Sequence, residues 1–144
     1  MKVRRPNLEA LYKEVDNYIP AKESLQPPRI GISANRRDGL SCIAETYVQA
    51  VLDAGGAPVL IPVITDLKAL PVLVSELDGL VMSGGGDINP LYLHEEPIPQ
   101  LQDVDTLRDE YDLILLRLAA NRQIPIMGIC RGHQIMNVAF EGSV

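Results

Sequence analysis

Two glycines flank a cysteine in Gly128-Ile-Cys130-Arg-Gly132, where an apolar run ends and a helix-like segment begins. Strand, Gly-x-Cys-x-Gly, helix is the cysteine counterpart of the Gly-x-Ser-x-Gly nucleophile elbow. A side chain at the apex of so sharp a turn strains the backbone, and flanking glycines relieve the crowding. The thiol then lies at a helix N-terminus, where unpaired N–H groups and the helix dipole favour the thiolate. The chemistry predicted is nucleophilic attack by Cys130, with the N–H of Arg131 pointing toward the oxyanion on the attacked carbon. A buried core thiol is the plainer use of a cysteine, but it leaves both glycines and the helix start without a reason. Cys42 lies in a stretch, 41–54, that reads as an amphipathic helix, and is expected to be structural.

A second segment, Ser83-Gly-Gly-Gly-Asp87, also follows an apolar run. Three glycines let backbone N–H groups face outward with no side chain in the way. Gly85 and Gly86 are therefore candidates for the other half of an oxyanion hole. Alone, the segment is equally a flexible turn capped by Asp87. Its pairing with the cysteine elbow favours the functional reading.

The elements that must position these loops alternate. Residues 29–34, 57–62, 78–83 and 124–129 read as strands; 41–54, 66–75, 105–121 and 131–140 read as helices, with Pro71 disturbing the second. In helix 105–121 the apolar face is Leu107, Tyr111, Ile114, Leu115 and Leu118. Alternation of this kind predicts an α/β fold with a mostly parallel sheet and helices on both faces. Both glycine segments then sit beyond the carboxyl ends of strands, where open parallel sheets place their sites. Pro125 removes a ladder donor, tolerable at a strand's start. Residues 1–28 look like an extension: Asn7 is an N-cap candidate, and Leu8, Leu11, Tyr12, Val15 and Ile19 form a stripe expected to pack on the domain surface.

Composition excludes several classes. The net charge of −6, with no Lys/Arg block after the first few residues, argues against nucleic acid as a partner. No apolar run is long enough to span a bilayer, and no apolar core follows the basic start as a signal peptide requires. Two cysteines make no disulfide scaffold, and no Cys/His cluster offers a zinc site, so neither metal nor cofactor is expected. A reducing cytoplasm is the expected compartment.

The motif Gly128-Ile-Cys-Arg-Gly-His-Gln134 resembles the nucleophile motif of class I glutamine amidotransferase-like proteins. Asp78-Gly-Leu-Val-Met-Ser-Gly-Gly-Gly-Asp-Ile-Asn-Pro90, Glu95-Glu-Pro97, Asp105-Thr-Leu-Arg-Asp109 and Ile124-Pro-Ile-Met-Gly-Ile129 narrow this to the γ-glutamyl-γ-aminobutyrate hydrolase (peptidase C26) branch. The resemblance covers residues 29–144 and implies the N-terminal portion of a flavodoxin-like α/β/α sandwich. It further implies a cysteine hydrolase of γ-glutamyl amides acting through a thioester, with backbone N–H groups near Gly85 and of Arg131 on the oxyanion. Gln134 matches a position that contacts glutamine-like substrates, though a helix-surface amide fits as well. Arg108 and Asp109 match a family motif; their spacing allows a helix-surface ion pair, and Arg108 is a further candidate for a substrate carboxylate.

The family's general base, a histidine oriented by glutamate in a His-Pro-Glu type motif, has no counterpart up to Val144. His133 stands at helix spacing from Cys130, but its place in the motif is common in the superfamily without being the base, and His94 reads as a loop residue. The expectation is an incomplete γ-glutamyl hydrolase with little turnover alone; the alternatives are a glutaminase unit of an amidotransferase and a non-catalytic binding or scaffold homologue. A homodimer, or pairing with a missing C-terminal portion, would cover the sheet edge beside the elbow.

Overall fold

The computed structural model describes residues 7–17 and 27–142. Strands β1 (Arg29–Ser33), β4 (Ala57–Ile61), β5 (Gly79–Met82) and β6 (Ile126–Gly128) form one parallel sheet in the order β4-β1-β5-β6. Helices α2 (Glu45–Asp53), α3 (Ala69–Ser75), α4 (Thr106–Asn121) and α5 (Arg131–Ala139) alternate with them. The two faces can be read off β1. Gly31 faces Leu77 and Leu80 of the main core, whereas Ile30 packs toward Val51 of α2. Successive residues of a strand point to opposite sides, so α2 covers one face. The other is closed by α3, α4 and α5, whose Leu70, Val74, Leu115, Leu116 and Ile135 form the core with Leu80 and Met82. The result is the expected flavodoxin-like three-layer α/β/α arrangement. Pro125 falls just before β6, and its carbonyl accepts from Leu80 N at 2.9 Å. Among the described residues no helix is long and apolar enough to cross a membrane.

Four expectations need correction. The helix read at 41–54 starts only at Glu45; Leu40–Cys42 is strand β3, paired antiparallel with β2 (Asn35–Arg37). The cause is the intervening Asp38-Gly39, whose φ angles of 51° and 75° suit the two-residue hairpin turn that Asp-Gly favours. Cys42 is thus a half-buried hairpin residue rather than a helical one. Pro71 does not disturb α3. Asp66 Oδ1 accepts from Lys68 N at 2.7 Å and Ala69 N at 2.9 Å, so the helix begins late and the proline falls in its first turn.

In α4 the buried face comprises Arg108, Asp109, Tyr111, Asp112, Leu115, Leu116 and Ala119, while Leu107 is exposed. The helix is rotated from its apolar stripe because its first two turns bury paired charges. Finally, α1 (Leu8–Asp16) forms with Asn7 accepting from Ala10 N at 3.1 Å, but none of its residues is buried. Leu8, Leu11, Tyr12 and Val15 remain more than half exposed, so the stripe is not packed on the domain; Ile19 lies outside the described residues.

Candidate active site

The carboxyl ends of β1 and β5 are tied by Ser33 and Ser83, both fully buried. Ser83 N donates to Ser33 Oγ at 2.8 Å, and Ser83 Oγ donates to the Ser33 carbonyl at 2.6 Å. Tyr111 of α4 braces the same end, donating to the Ile61 carbonyl at 2.5 Å and accepting from Ala34 N at 3.2 Å. From this base the Gly84–Asp87 loop leaves β5 and the elbow leaves β6.

Cys130 adopts φ 53° and ψ −112°, a conformation L-residues rarely hold, and its residue is exposed. Strain of this kind costs about 1–3 kcal/mol and persists only where the surroundings impose it. Here they do. Ile129 N donates to the Met82 carbonyl at 3.0 Å, and Gly132 N to the Ile129 carbonyl at 2.9 Å. A Cβ on Gly132 would fall 2.0 Å from the Met82 carbonyl oxygen, and one on Gly128 would fall 2.7 Å from the Gly132 carbonyl. Both glycines are required by close approach of chain to chain. The N–H groups of His133 and Gln134 turn to the Cys130 carbonyl, at 3.0 and 3.2 Å. Arg131 N meets no acceptor among the described residues.

The two loops lie side by side. A Cβ on Gly84 would stand 3.7 Å from Cys130 Cβ and 3.0 Å from the Tyr47 hydroxyl. Gly84 N is already bonded to that hydroxyl at 3.0 Å, so it is not a free donor. The N–H groups of Gly85 and Gly86 meet no acceptor among the described residues. Tyr47 was not singled out from sequence, where it is one tyrosine in an amphipathic helix.

Beneath both loops sits a buried ionic cluster of Arg108, Asp109, Asp112 and Arg131, each at most 3% exposed. Arg131 Nη2 meets Asp109 at 2.5 Å and Asp112 at 3.4 Å, while its Nη1 donates to the Gly86 carbonyl at 3.0 Å. Asp109 also accepts from Asn89 N at 3.0 Å. Arg108 bonds Asp112 at 3.1 Å, the Asn35 side chain, and the Ser83 carbonyl at 3.3 Å. The glycine loop is therefore held from below at Ser83, Gly86 and Asn89. Burial pushes the Asp112 carboxyl up to about 6, opposed by Arg108 and Arg131. Among the described residues Asp112 Oδ1 and Arg131 Nε have no hydrogen-bond partner. Arg108 and Asp109 are thus not a helix-surface pair. The guanidinium of Arg108 is engaged by protein acceptors on Asn35, Ser83 and Asp112.

A polar cleft of about 420 Å³ opens above the cluster, between Arg36 and Arg37 of the hairpin and Gly85, Gly86, Asp103 and Arg131. Arg36 spans it to Asp105 with bonds of 2.9 and 3.1 Å. Hydrogen bonds from Arg36 and from the first N–H groups of α4 hold the Asp105 carboxyl below its usual range. Half-buried Gln134 lines a different recess, of about 240 Å³, with Asp87, Ile88, Pro90 and Leu101. Cys130 thus stands beside Gly84; Gly85, Gly86 and Arg131 line one cleft; and Gln134 lies in a different recess from Arg108. Exposed His133 lies on α5, and His94 ends the short 3₁₀ helix Pro90–Leu93. Among the described residues no group of three or more His, Cys, Asp or Glu is arranged to hold a metal ion.

Comparison with known proteins accords with this geometry. The Peptidase C26 family profile matches residues 28–144. Protein NtpR of Enterococcus hirae is 32% identical over 126 residues, covering 81% of this chain and 52% of its own length. A glutamine amidotransferase-like protein of Rickettsia prowazekii is 35% identical over 103 residues, covering 71% of this chain and 36% of its own. The γ-glutamyl-γ-aminobutyrate hydrolase PuuD of Escherichia coli K12 is 34% identical over 124 residues, 81% of this chain and 48% of that enzyme. The chain thus spans about half the length of the curated relatives it matches, or less. With a family profile covering its whole α/β domain, the chain belongs to the Peptidase C26 family of glutamine amidotransferase-like proteins.

Proposed function

We propose that this chain carries the nucleophile and oxyanion-binding part of a cysteine hydrolase of γ-glutamyl amides. The observation that carries the reading is Cys130 exposed at a strained apex, beside a glycine loop whose next two N–H groups are unclaimed. The thiolate sulfur of Cys130 bonds to the γ-carbon, and the carbonyl oxygen takes the negative charge. The N–H groups of Gly85, Gly86 and Arg131 stabilise that charge; one such donor is worth about 10²–10³ in rate. The C–N bond breaks as the leaving nitrogen is protonated, and the amine departs from a thioester. Water then bonds to the carbon, the C–S bond breaks, and glutamate and thiolate are released. Gln134, one helical turn beyond the nucleophile, faces the glutamyl portion.

Both proton transfers need an acid–base group, which typically contributes about 10²–10⁴-fold. In this reading that group comes from a polypeptide segment outside residues 27–142, because neither His94 nor His133 has an orienting carboxylate bonded to its ring among the described residues. The remainder of a whole enzyme of the relatives' length would bring it beside β6, an edge strand among the described residues. The acyl-enzyme chemistry is tested with a diazo-ketone analogue of glutamine and mass spectrometry of the folded chain. Labelling of Cys130 over Cys42 is expected. Equal labelling of both, or none, sinks the assignment.

A further inference from the structure

Among the described residues, one proton beside the nucleophile has no acceptor. The Tyr47 hydroxyl accepts from Gly84 N at 3.0 Å, and its own O–H donates to nothing. A phenol is both donor and acceptor, and Tyr47 is half-buried, where such donors normally find a partner. The bare α-carbon of Gly84 shows what lies around it. A Cβ there would meet the Tyr47 oxygen at 3.0 Å, Cys130 Cβ at 3.7 Å and the Ile129 carbonyl oxygen at 3.8 Å. Phenol and nucleophile thus border one small space that Gly84 keeps open. The Ile129 carbonyl already accepts from Gly132 N at 2.9 Å, whereas the Cys130 sulfur has no partner among the described residues.

Tyr47 is fixed from its own side. It stands in the first turn of α2, four residues before Val51, the buried residue of that helix. Residues at this spacing share a helix face. The ring therefore continues the face that packs on the sheet, and its hydroxyl arrives at the carboxyl end of β5. The other ionisable groups in the first turn of α5 are Arg131, whose guanidinium is held by Asp109 and Asp112, and the exposed His133.

We infer that the Tyr47 hydroxyl donates a hydrogen bond to the thiolate of Cys130, holding the nucleophile in its charged form while its lone pair anchors the glycine loop. The inference rests on the hydrolase reading above and deepens it. A hydrogen bond to the charged form of a group favours that form. Tyr47 keeps its proton throughout and forms no covalent bond.

The test is alkylation of the full chain by iodoacetamide, a small neutral probe that needs no glutamyl site, followed at Cys130 by mass spectrometry between about pH 6 and 9. Loss of the bond in Tyr47→Phe lowers the thiolate fraction at low pH by about ten-fold or more. A less acidic sulfur is the better nucleophile, which offsets part of this. The variant is therefore expected to react about three- to ten-fold more slowly at about pH 6 and at least as fast at about pH 9, so that the two curves cross. Replacing Tyr47 by fluorotyrosine, a stronger donor and a weaker acceptor, is expected to speed the reaction at the lower pH. His133→Gln should leave the wild-type curve in place. Equal rates for wild type and Tyr47→Phe at the lower pH overturn the inference. So does slowing by one factor at every pH, which leaves the hydroxyl only its grip on Gly84 N. A curve that moves with His133→Gln and not with Tyr47→Phe overturns it too. Should Tyr47→Phe not fold, the fluorotyrosine chain decides, and no gain at the lower pH sinks the proposal. Diazo-ketone labelling of wild-type Cys130 reads the hydrolase proposal separately: selective labelling with curves that do not cross removes the role of Tyr47 alone.

Discussion

Replacing Gly132 by alanine puts the elbow's geometry to its hardest trial. The new Cβ would sit 2.0 Å from the Met82 carbonyl oxygen and 2.6 Å from its carbon, whereas real Cβ atoms stay beyond 3.0 Å. The obstacle is backbone of a central strand, so no side chain can swing aside. Helix α5 must rise from β5 by about an ångström. That lengthens the 3.0 Å bond from Ile129 N to Met82 and loosens Ile135, which is fully buried. Overpacking a core costs about 1–3 kcal/mol, and a lost buried backbone bond adds about 1 kcal/mol. The expected destabilisation is therefore roughly 2–4 kcal/mol by urea unfolding. The diazo-ketone labelling of Cys130 should also lose its advantage over Cys42. Gly39→Ala is the control: φ is 75° there, but nothing lies within 4 Å of the added methyl. It should cost about 1 kcal/mol from left-handed strain and leave labelling untouched. A Gly132→Ala protein as stable as the wild type, labelled at the same rate, would refute the close-approach argument.

Three further outcomes follow from the cluster and the loop. Asp109→Asn leaves Arg131 without its closest partner in a dry site, and should cost about 3–5 kcal/mol in denaturant unfolding. Burial holds the Asp112 carboxyl up at about 6. A raised folded pKa gives stability that is fully present below about pH 4 and lost as pH climbs through about 6, roughly 3 kcal/mol in all. Asp112→Asn should erase that component of the pH–stability curve; an unchanged slope between pH 4 and 6 would count against it. Tyr47→Phe removes the acceptor of Gly84 N and should cost about 1–2 kcal/mol while slowing the labelling of Cys130. Stability and labelling rates both equal to wild type would show that the hydroxyl does not hold the loop.

The parallel sheet was legible because each strand is a short apolar run and each helix follows at the right interval. The elbow was legible because Gly128 and Gly132 have no other explanation. The hairpin was not, since Leu40–Cys42 adjoins a true helix and its apolar residues fit either period; the turn-forming Asp38-Gly39 pair is the one signal for it. The ionic cluster was hidden for a different reason. Arg108 and Asp112 stand four apart, the spacing of an ordinary surface pair. Yet they lie on the same helical face as Leu115, Leu116 and Ala119, so charges continuing a buried stripe were the available clue. Arg131 gave no such clue, because sequence motifs advertise its main-chain N–H and say nothing of where its side chain goes.

Arg131 has two jobs in one residue. Its amide belongs to the turn that presents the thiol, while its guanidinium grips the carbonyl of Gly86 across the gap. A displacement of the glycine loop therefore drags the nucleophile's neighbour with it, and the spacing between sulfur and donors is buffered against breathing elsewhere. In hydrogen exchange, the amides of 85–89 and 131–134 should open together as one unit rather than as two independent loops.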